Sequence, residues 1–217
     1  MKLVIGNYNY SSWSLRAWLM LSAFELEFEA VRVALNQDNT KAELEKHSPT
    51  AKVPVLIDDD QIIWESLAIC EYVSERYLDG RGWPSDIHQR AIARSISAEM
   101  HSGFFSLRES MPMNCRATGR RVEISQSLQR DIQRVDQIWT DMRTEFGDAG
   151  PWLCGQFSVA DCMYAPVVMR FMTYGVAVSD KADIYMDTML QHSSIQTWLQ
   201  QASAEKEFID CEEVGQS

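Results

Sequence analysis

Apolar and polar positions alternate in short blocks along the first third of the chain. Continuous or alternating apolar runs favour strands, whereas apolar residues three or four positions apart favour helices. The pattern therefore predicts a layered domain of interleaved strands and helices. We expect strands at 3–5, 28–33, 53–57 and 61–64, a hairpin turn at 58–60, and helices at 13–23, 40–46 and 65–78.

A stretch punctuated by Gly and Pro at 79–84 ends this pattern, and only helix-like segments follow it. Helices are expected at 86–111, 120–146, 158–174 and 193–204. The third of these is apolar nearly all round, which predicts burial, and it opens with a capping box. The element order of the first part is that of a thioredoxin fold. We predict a thioredoxin-like α/β domain at 1–78, a linker at 79–84 and an all-helical domain at 85–217.

Composition and charge argue against several kinds of partner. Thirty-one Asp and Glu against twenty Lys and Arg give a net charge of −11, which disfavours nucleic acid and anionic membrane surfaces. No apolar run approaches the roughly 20 residues of a membrane-spanning helix. The five cysteines form no Cys-x-x-Cys pair and the four histidines lack metal-ligand spacing. We expect reduced thiols, a cytoplasmic location and no metal site.

Two serines lie where the first predicted strand gives way to the first helix. Ser11 or Ser12 could cap that helix, or its hydroxyl could hydrogen-bond a ligand thiolate, which the helix dipole also favours. A free thiol has a pKa near 8.5 and needs such help to ionise at neutral pH. Tyr8 and Tyr10 offer phenols for the same purpose, although packing at the strand end explains them more simply.

Two dipeptides near the last two strands are candidates for binding a peptide. A cis bond at Val53–Pro54 would present the backbone of Val53 to an extended peptide, whereas a trans proline at a strand edge has no such role. Glu65 and Ser66 open a predicted helix, whose free N–H groups and serine hydroxyl suit a carboxylate. The carboxylate of Glu65 suits an ammonium group. An ordinary N-cap is the structural alternative.

These features together resemble the cytosolic glutathione transferases over essentially the whole chain. The resemblance is carried by S-P-T-A-K-V-P-V-L at 48–56, W-E-S-L-A-I-C-E-Y at 64–72 and S-V-A-D at 158–161. It implies a cis Pro54 and pairing of the Val53 backbone with the cysteinyl part of glutathione. It further implies that the γ-glutamyl end binds Glu65 and Ser66, that Lys52 reaches a glutathione carboxylate, and that the protein is a homodimer.

The run Ser-Ser-Trp-Ser-Leu-Arg at 11–16 is similar to the serine-type classes, especially the zeta class, whose first helix opens with Ser-Ser-Cys-Ser. The match implies that Ser11 stabilises the glutathione thiolate, with Ser12 as the second candidate. Trp13 stands where the zeta pattern has cysteine, a departure that counts against the maleylacetoacetate isomerase activity of that class.

The resemblance implies a glutathione transferase that uses glutathione as co-substrate and attacks a small organic electrophile. Met100, Phe104 and Arg108 are the expected electrophile contacts, in a stripe that also holds His101, Phe105, Met111 and Met113. Arg108 and Arg116 would suit an acidic co-substrate. Two alternatives are a zeta-type cis–trans isomerase with a maleylacetoacetate-like substrate and a binding protein that keeps the fold without the chemistry.

Overall fold

The computed structural model describes residues 1–215 and confirms the predicted fold class. Its sheet has the strand order β2-β1-β3-β4, with β1 parallel to β2 and antiparallel to β3. The strands are β1 (Lys2–Ile5), β2 (Glu29–Arg32), β3 (Val55–Asp58) and β4 (Gln61–Trp64). Asp58 pairs with Gln61, so the predicted hairpin is present and its turn is one residue shorter than expected. Residues 216–217 of the predicted helical domain lie outside the described residues.

The period-two pattern of β1 places helices on both faces of the sheet. Leu3 and Ile5 belong to the large core that includes α1 and α3, whereas Val4 packs in a small cluster with Leu44 of α2. The helices are α1 (Ser12–Ala23), α2 (Thr40–Glu45) and α3 (Ser66–Tyr77). The site described below forms where α1 begins.

Helices make up the second part of the chain. They are α4 (Ile87–Ser102), α5 (Phe105–Ser110), α6 (Gln126–Phe146), α7 (Val159–Tyr174), α8 (Asp180–Gln191) and α9 (Ser193–Ala204). Every residue of α7 except Met172 is buried, as its pattern predicts, and α7 packs against α1. The predicted capping box is present, since the backbone N–H of Ser158 donates to Oδ2 of Asp161 (2.8 Å). Within residues 1–215, no helix has both the length and the apolarity to cross a membrane.

Two helix predictions were wrong in part, and one helix was missed. The helix expected at 86–111 breaks after Ser102, because Phe104 adopts a left-handed conformation (φ 59°) before α5. The helix expected from 120 begins at Gln126, because Arg120 is held outside it by a backbone hydrogen bond to Thr173. Helix α8 was not predicted, although its buried residues Ala182, Tyr185, Met186 and Met189 have helical spacing.

Candidate active site

Two adjoining cavities open at the N-terminal end of α1. The larger, about 480 Å³, is lined by Ser11, Ser12 and Lys52 among others, and the smaller, about 170 Å³, by Glu65 and Ser66. Both cavities share Trp13, Lys52 and Val53, so they form one cleft. The cleft therefore brings together all seven residues that the sequence assigns to thiolate and glutathione binding: Ser11, Ser12, Lys52, Val53, Pro54, Glu65 and Ser66.

The smaller cavity presents complementary groups for a zwitterion. The Val53–Pro54 bond is cis, as the family resemblance implies. Ser66 is the first residue of α3, and its buried Oγ has no hydrogen-bond partner among residues 1–215, so it can donate to a carboxylate at the helix N-terminus. Glu65 makes no capping hydrogen bond, and its carboxylate lies 3.6 Å from Nε2 of His101. Burial and the nearby Arg16 lower the pKa of His101, so at neutral pH the Glu65 carboxylate has no cationic partner in the described part of the chain.

The two serines at the start of α1 differ in their hydrogen bonds. Ser11 is the N-cap: its hydroxyl donates to Oγ of Ser14 (2.8 Å) and accepts from the backbone N–H of Ser14 (3.4 Å). The Oγ of Ser12 accepts from Nη2 of Arg170 (3.4 Å), and no acceptor for its own proton lies within residues 1–215. The hydroxyl of Ser12 is thus available to a ligand, while that of Ser11 is engaged within the protein.

Two buried arginines, Arg16 and Arg170, and the half-buried Arg108 lie at this end of α1. Their guanidinium groups donate to backbone carbonyls: Nε of Arg16 to Met163 (3.2 Å) and Nε of Arg170 to Met111 (2.8 Å). Nη2 of Arg108 donates to the carbonyl of His101 (3.0 Å). Within residues 1–215, none of the three forms an ion pair with a carboxylate.

These three cations leave the cleft with an excess of positive charge. Burial lowers the pKa of Arg16, and repulsion by Arg108 and Arg170 adds to this effect. Burial, with repulsion by Arg108, likewise lowers the pKa of Arg170 to about 10. Arg170 therefore stays charged at neutral pH. Such uncompensated charge favours an anion, either a thiolate or the carboxylate of a co-substrate.

Trp13 fills the position that the zeta pattern gives to cysteine. Its indole ring lies against the guanidinium groups of Arg16 (4.4 Å) and Arg108 (4.8 Å). The ring of His101 meets it edge-on at 5.3 Å. Cation–π attraction thus replaces the missing carboxylates in holding the two arginines.

The predicted electrophile contacts divide into lining and core residues. Arg108 lines the larger cavity, whereas Met100 and Phe104 are 0% and 7% exposed and belong to the core. Arg116 donates to the carbonyl of Glu207 (2.8 Å) and does not line the larger cavity. The apolar pattern of the stripe reflects core packing, which is why it could not separate substrate contacts from core positions.

Sequence reasoning missed Arg170 and Glu212, which line the larger cavity beside the serines. One signal was present for Arg170, because it is a charged residue within a segment otherwise predicted to be buried all round. Glu212 lies in the polar C-terminal stretch, and nothing in the local pattern connects it with the start of α1. Tyr10 lines the cavity as well, but its hydroxyl donates to Oε1 of Glu213 (2.6 Å).

Known proteins resemble the chain in sequence and in structure. A probable maleylacetoacetate isomerase of Caenorhabditis elegans is 39% identical over 102 residues, 47% of this chain and 48% of the relative. The chain thus spans about half the length of the first curated relatives it matches. A glutathione transferase homologue from Burkholderia GL BGR1, solved with bound glutathione, gives a TM-score of 0.72 at 24% identity, covering 94% of this chain and 98% of that one.

A second solved structure is maleyl pyruvate isomerase, a bacterial glutathione S-transferase in the zeta class. It gives a TM-score of 0.73 at 19% identity and covers 95% of this chain and 100% of that one, which supports the shared fold. The family model of the glutathione S-transferase N-terminal domain matches residues 10–76, and that of the C-terminal domain matches residues 125–201. The matches take in about two thirds of the chain and confirm the predicted resemblance. The chain belongs to the glutathione S-transferase family.

Proposed function

We propose that this protein is a glutathione transferase that joins the glutathione thiol to a small organic electrophile. The observation that carries the proposal is the continuous cleft, which has a zwitterion site at one end and a free hydroxyl at the other. The γ-glutamyl group lies against Glu65 and Ser66 and the cysteinyl backbone pairs with Val53, while Lys52 reaches a glutathione carboxylate. The solved homologue with bound glutathione supports this choice of ligand.

In this proposal Ser12 donates the hydrogen bond that stabilises the thiolate, and Ser11 caps α1. The proton of Ser11 is engaged by Ser14, whereas that of Ser12 is free. The first turn of α1 and the guanidinium of Arg170 add positive potential at the same place. Ionisation of the thiol and its proximity to the electrophile then account for catalysis without a covalent enzyme intermediate or a metal.

A zeta-type isomerase is the second candidate, and a specific observation favours it. Arg108 and Arg170 line the larger cavity and form no ion pair within residues 1–215, so they suit a substrate that is itself an acid. The relatives named as maleylacetoacetate isomerase and maleyl pyruvate isomerase point to the same substrate class. The two activities separate in one assay, because isomerisation of an unsaturated diacid leaves glutathione unconsumed whereas transfer consumes it.

We further propose that the protein works as a cytoplasmic homodimer. The family resemblance implies the dimer, and the edge strand β4 offers an apolar surface, since Ile62 and Trp64 are 48% and 44% exposed. The five cysteines are free thiols, as is typical of a reducing compartment. Sedimentation equilibrium of the wild type and of Trp64→Glu tests the dimer, which the added charge is expected to weaken.

Calorimetric titration of glutathione into the purified protein tests the binding proposal. Saturable binding is expected, and Glu65→Ala is expected to weaken it at least about tenfold, because a lost charge-assisted hydrogen bond costs about 1.5–3 kcal/mol. Glu75→Ala removes the same charge from an exposed position of α3 and is the matched control. If the wild type binds no glutathione at millimolar concentration, both the transferase and the isomerase proposals fail.

A further inference from the structure

The C-terminal segment, residues 205–215, returns from α9 to the start of α1 and is tied down there. The carboxylate of Glu205 accepts from the backbone N–H groups of Tyr8 (2.8 Å) and Asn9 (3.0 Å). Arg116 donates to the carbonyl of Glu207 (2.8 Å). These bonds hold the segment beside the loop that leads into the two serines.

Glu213 fixes the segment at its far end. Its carboxylate accepts from the hydroxyl of Tyr10 (2.6 Å) and forms an ion pair with Arg120. The residue before it, Glu212, ends a short 3-10 turn at Asp210–Glu212 and lines the larger cavity with Ser12 and Arg170. The neighbouring contacts therefore place one carboxylate inside the cleft.

The carboxylate of Glu212 is half-buried and lacks a partner of its own. Within residues 1–215, it makes no hydrogen bond and no ion pair, although it lies close enough to Arg170 for an electrostatic attraction. Withdrawing a carboxylate from water without a donor costs free energy, and a proton or a ligand donor removes that cost. Glu212 thus faces the cavity in a form suited to accept a proton from a bound molecule.

We propose that Glu212 accepts the proton of the glutathione thiol, an inference that rests on the proposed function. The S–H bond breaks, its electron pair stays on sulfur, and the proton forms an O–H bond on Glu212. In a substitution, the thiolate bonds to the electrophilic carbon, the leaving group departs with its bonding pair, and Glu212 then releases the proton to water. When the thiolate adds to a conjugated double bond instead, no group leaves, and the resulting carbanion takes the proton from Glu212.

The charges around the cavity favour this exchange. One negative charge moves from the carboxylate to the sulfur while both face Arg170, so the total charge of the cavity does not change. Burial raises the pKa of Glu212 and Arg170 opposes the rise, which brings the group towards the pH range of a proton acceptor. The charged and titratable groups that face it from other elements are Tyr10, Lys52, Arg108, Arg170 and Tyr174.

Glu212→Gln tests the proposal, with Asp210→Asn as matched control because it removes the same charge from an exposed position of the same turn. Both variants are assayed with glutathione and chlorodinitrobenzene. In both variants the affinity for glutathione should stay within about twofold of the wild type, whereas Glu212→Gln should lower kcat on the order of 10²-fold, as loss of a general base does. The decrease of kcat at low pH, which reports protonation of the base, should also disappear in Glu212→Gln. Asp210→Asn should match the wild type, and Glu212→Asp should recover part of the loss.

The absorbance of the bound thiolate distinguishes proton transfer from simple repulsion. A carboxylate that only repels the thiolate would raise the pKa of the thiol, so its removal would increase both ionisation and kcat, and that result overturns the proposal. An equal loss of kcat in Asp210→Asn overturns it too, since the segment would then be merely structural. An active wild type with an unaffected Glu212→Gln rejects this inference alone, whereas a wild type that binds no glutathione rejects the proposed function.

Discussion

The two serines at the start of α1 have different tasks. Ser11 caps the helix, because its Oγ accepts from the backbone N–H of Ser14 and donates to the Oγ of Ser14. The Oγ of Ser14 in turn accepts from the backbone N–H of Gly6 (3.0 Å). Ser12 keeps its proton for a ligand and receives a hydrogen bond from Arg170. A cap stabilises the fold whether or not a ligand is present, whereas a free donor acts only on the bound thiol. Substitution should therefore separate the two tasks.

Ser12→Ala is expected to raise the pKa of bound glutathione by about one unit, because the thiolate loses one charge-assisted hydrogen bond. Ser11→Ala should leave that pKa nearly unchanged and destabilise the protein by about 1 kcal/mol, the usual cost of losing an N-cap. Thiolate absorbance against pH and denaturant unfolding measure the two effects. A raised thiol pKa in Ser11→Ala but not in Ser12→Ala would contradict the assignment.

At the scale of elements, Asp58 ties the end of β3 to α3. Its Oδ2 accepts from the hydroxyls of Tyr72 (2.8 Å) and Tyr77. Burial works to raise the pKa of Asp58, but the hydrogen bonds from Tyr77 and Tyr72 outweigh it and hold the pKa below its usual range. The carboxylate is thus better stabilised in the folded chain than in the unfolded one. This stability is present above about pH 4 and is lost as the pH falls through the folded pKa.

Asp58→Asn is expected to cost about 1 kcal/mol at pH 7, because an amide oxygen accepts more weakly than a carboxylate. The cost should shrink as the pH falls below about 4, where the wild type loses its own charge. Urea unfolding of both proteins across this range measures it. Asp60→Asn, in the exposed hairpin turn, is the control and should change stability little at any pH. A cost independent of pH would show that the charge of Asp58 does not matter.

Elements could be predicted where local chemistry decides them. The capping box at Ser158 and the apolar run after it specify a buried helix by contacts within a few residues. The break between α4 and α5 depends instead on the left-handed Phe104 and on the backbone N–H of Leu107, which donates to Asp131 of α6 (3.0 Å). A contact over that distance leaves no periodic signal in the local sequence.

At the scale of the whole molecule, the site too combines parts fixed by local sequence with parts fixed by long-range contacts. The smaller cavity, with Val53, Pro54, Glu65 and Ser66, is built from short motifs of one domain, so the sequence alone could predict it. The larger cavity also draws residues from α5, α7 and the C-terminal segment, whose positions only the tertiary structure brings together. Arg170 and Glu212 therefore remained outside the prediction, whereas the predicted contacts Met100 and Phe104 lie in the core.

The charge of the cleft opposes that of the protein as a whole. The chain carries −11, whereas the larger cavity is lined by the cations Lys52, Arg108 and Arg170 and by the single carboxylate of Glu212. Charges at short range and away from water dominate over a distant surface charge that salt screens within about 10 Å. An acidic electrophile should therefore bind better than its neutral ester, in spite of the net negative charge.

Arg108→Ala is expected to raise the KM of the acidic electrophile at least about tenfold, because it removes a charge-assisted hydrogen bond worth about 1.5 kcal/mol. The KM of the neutral ester should change little. Arg108→Lys keeps the charge and should retain part of the preference. Arg130→Ala removes one positive charge from the exposed face of α6 and serves as control. Steady-state kinetics on the acid and ester pair give the comparison. Equal changes for both substrates would mean that Arg108 only supports Trp13, because loss of that packing weakens either substrate alike.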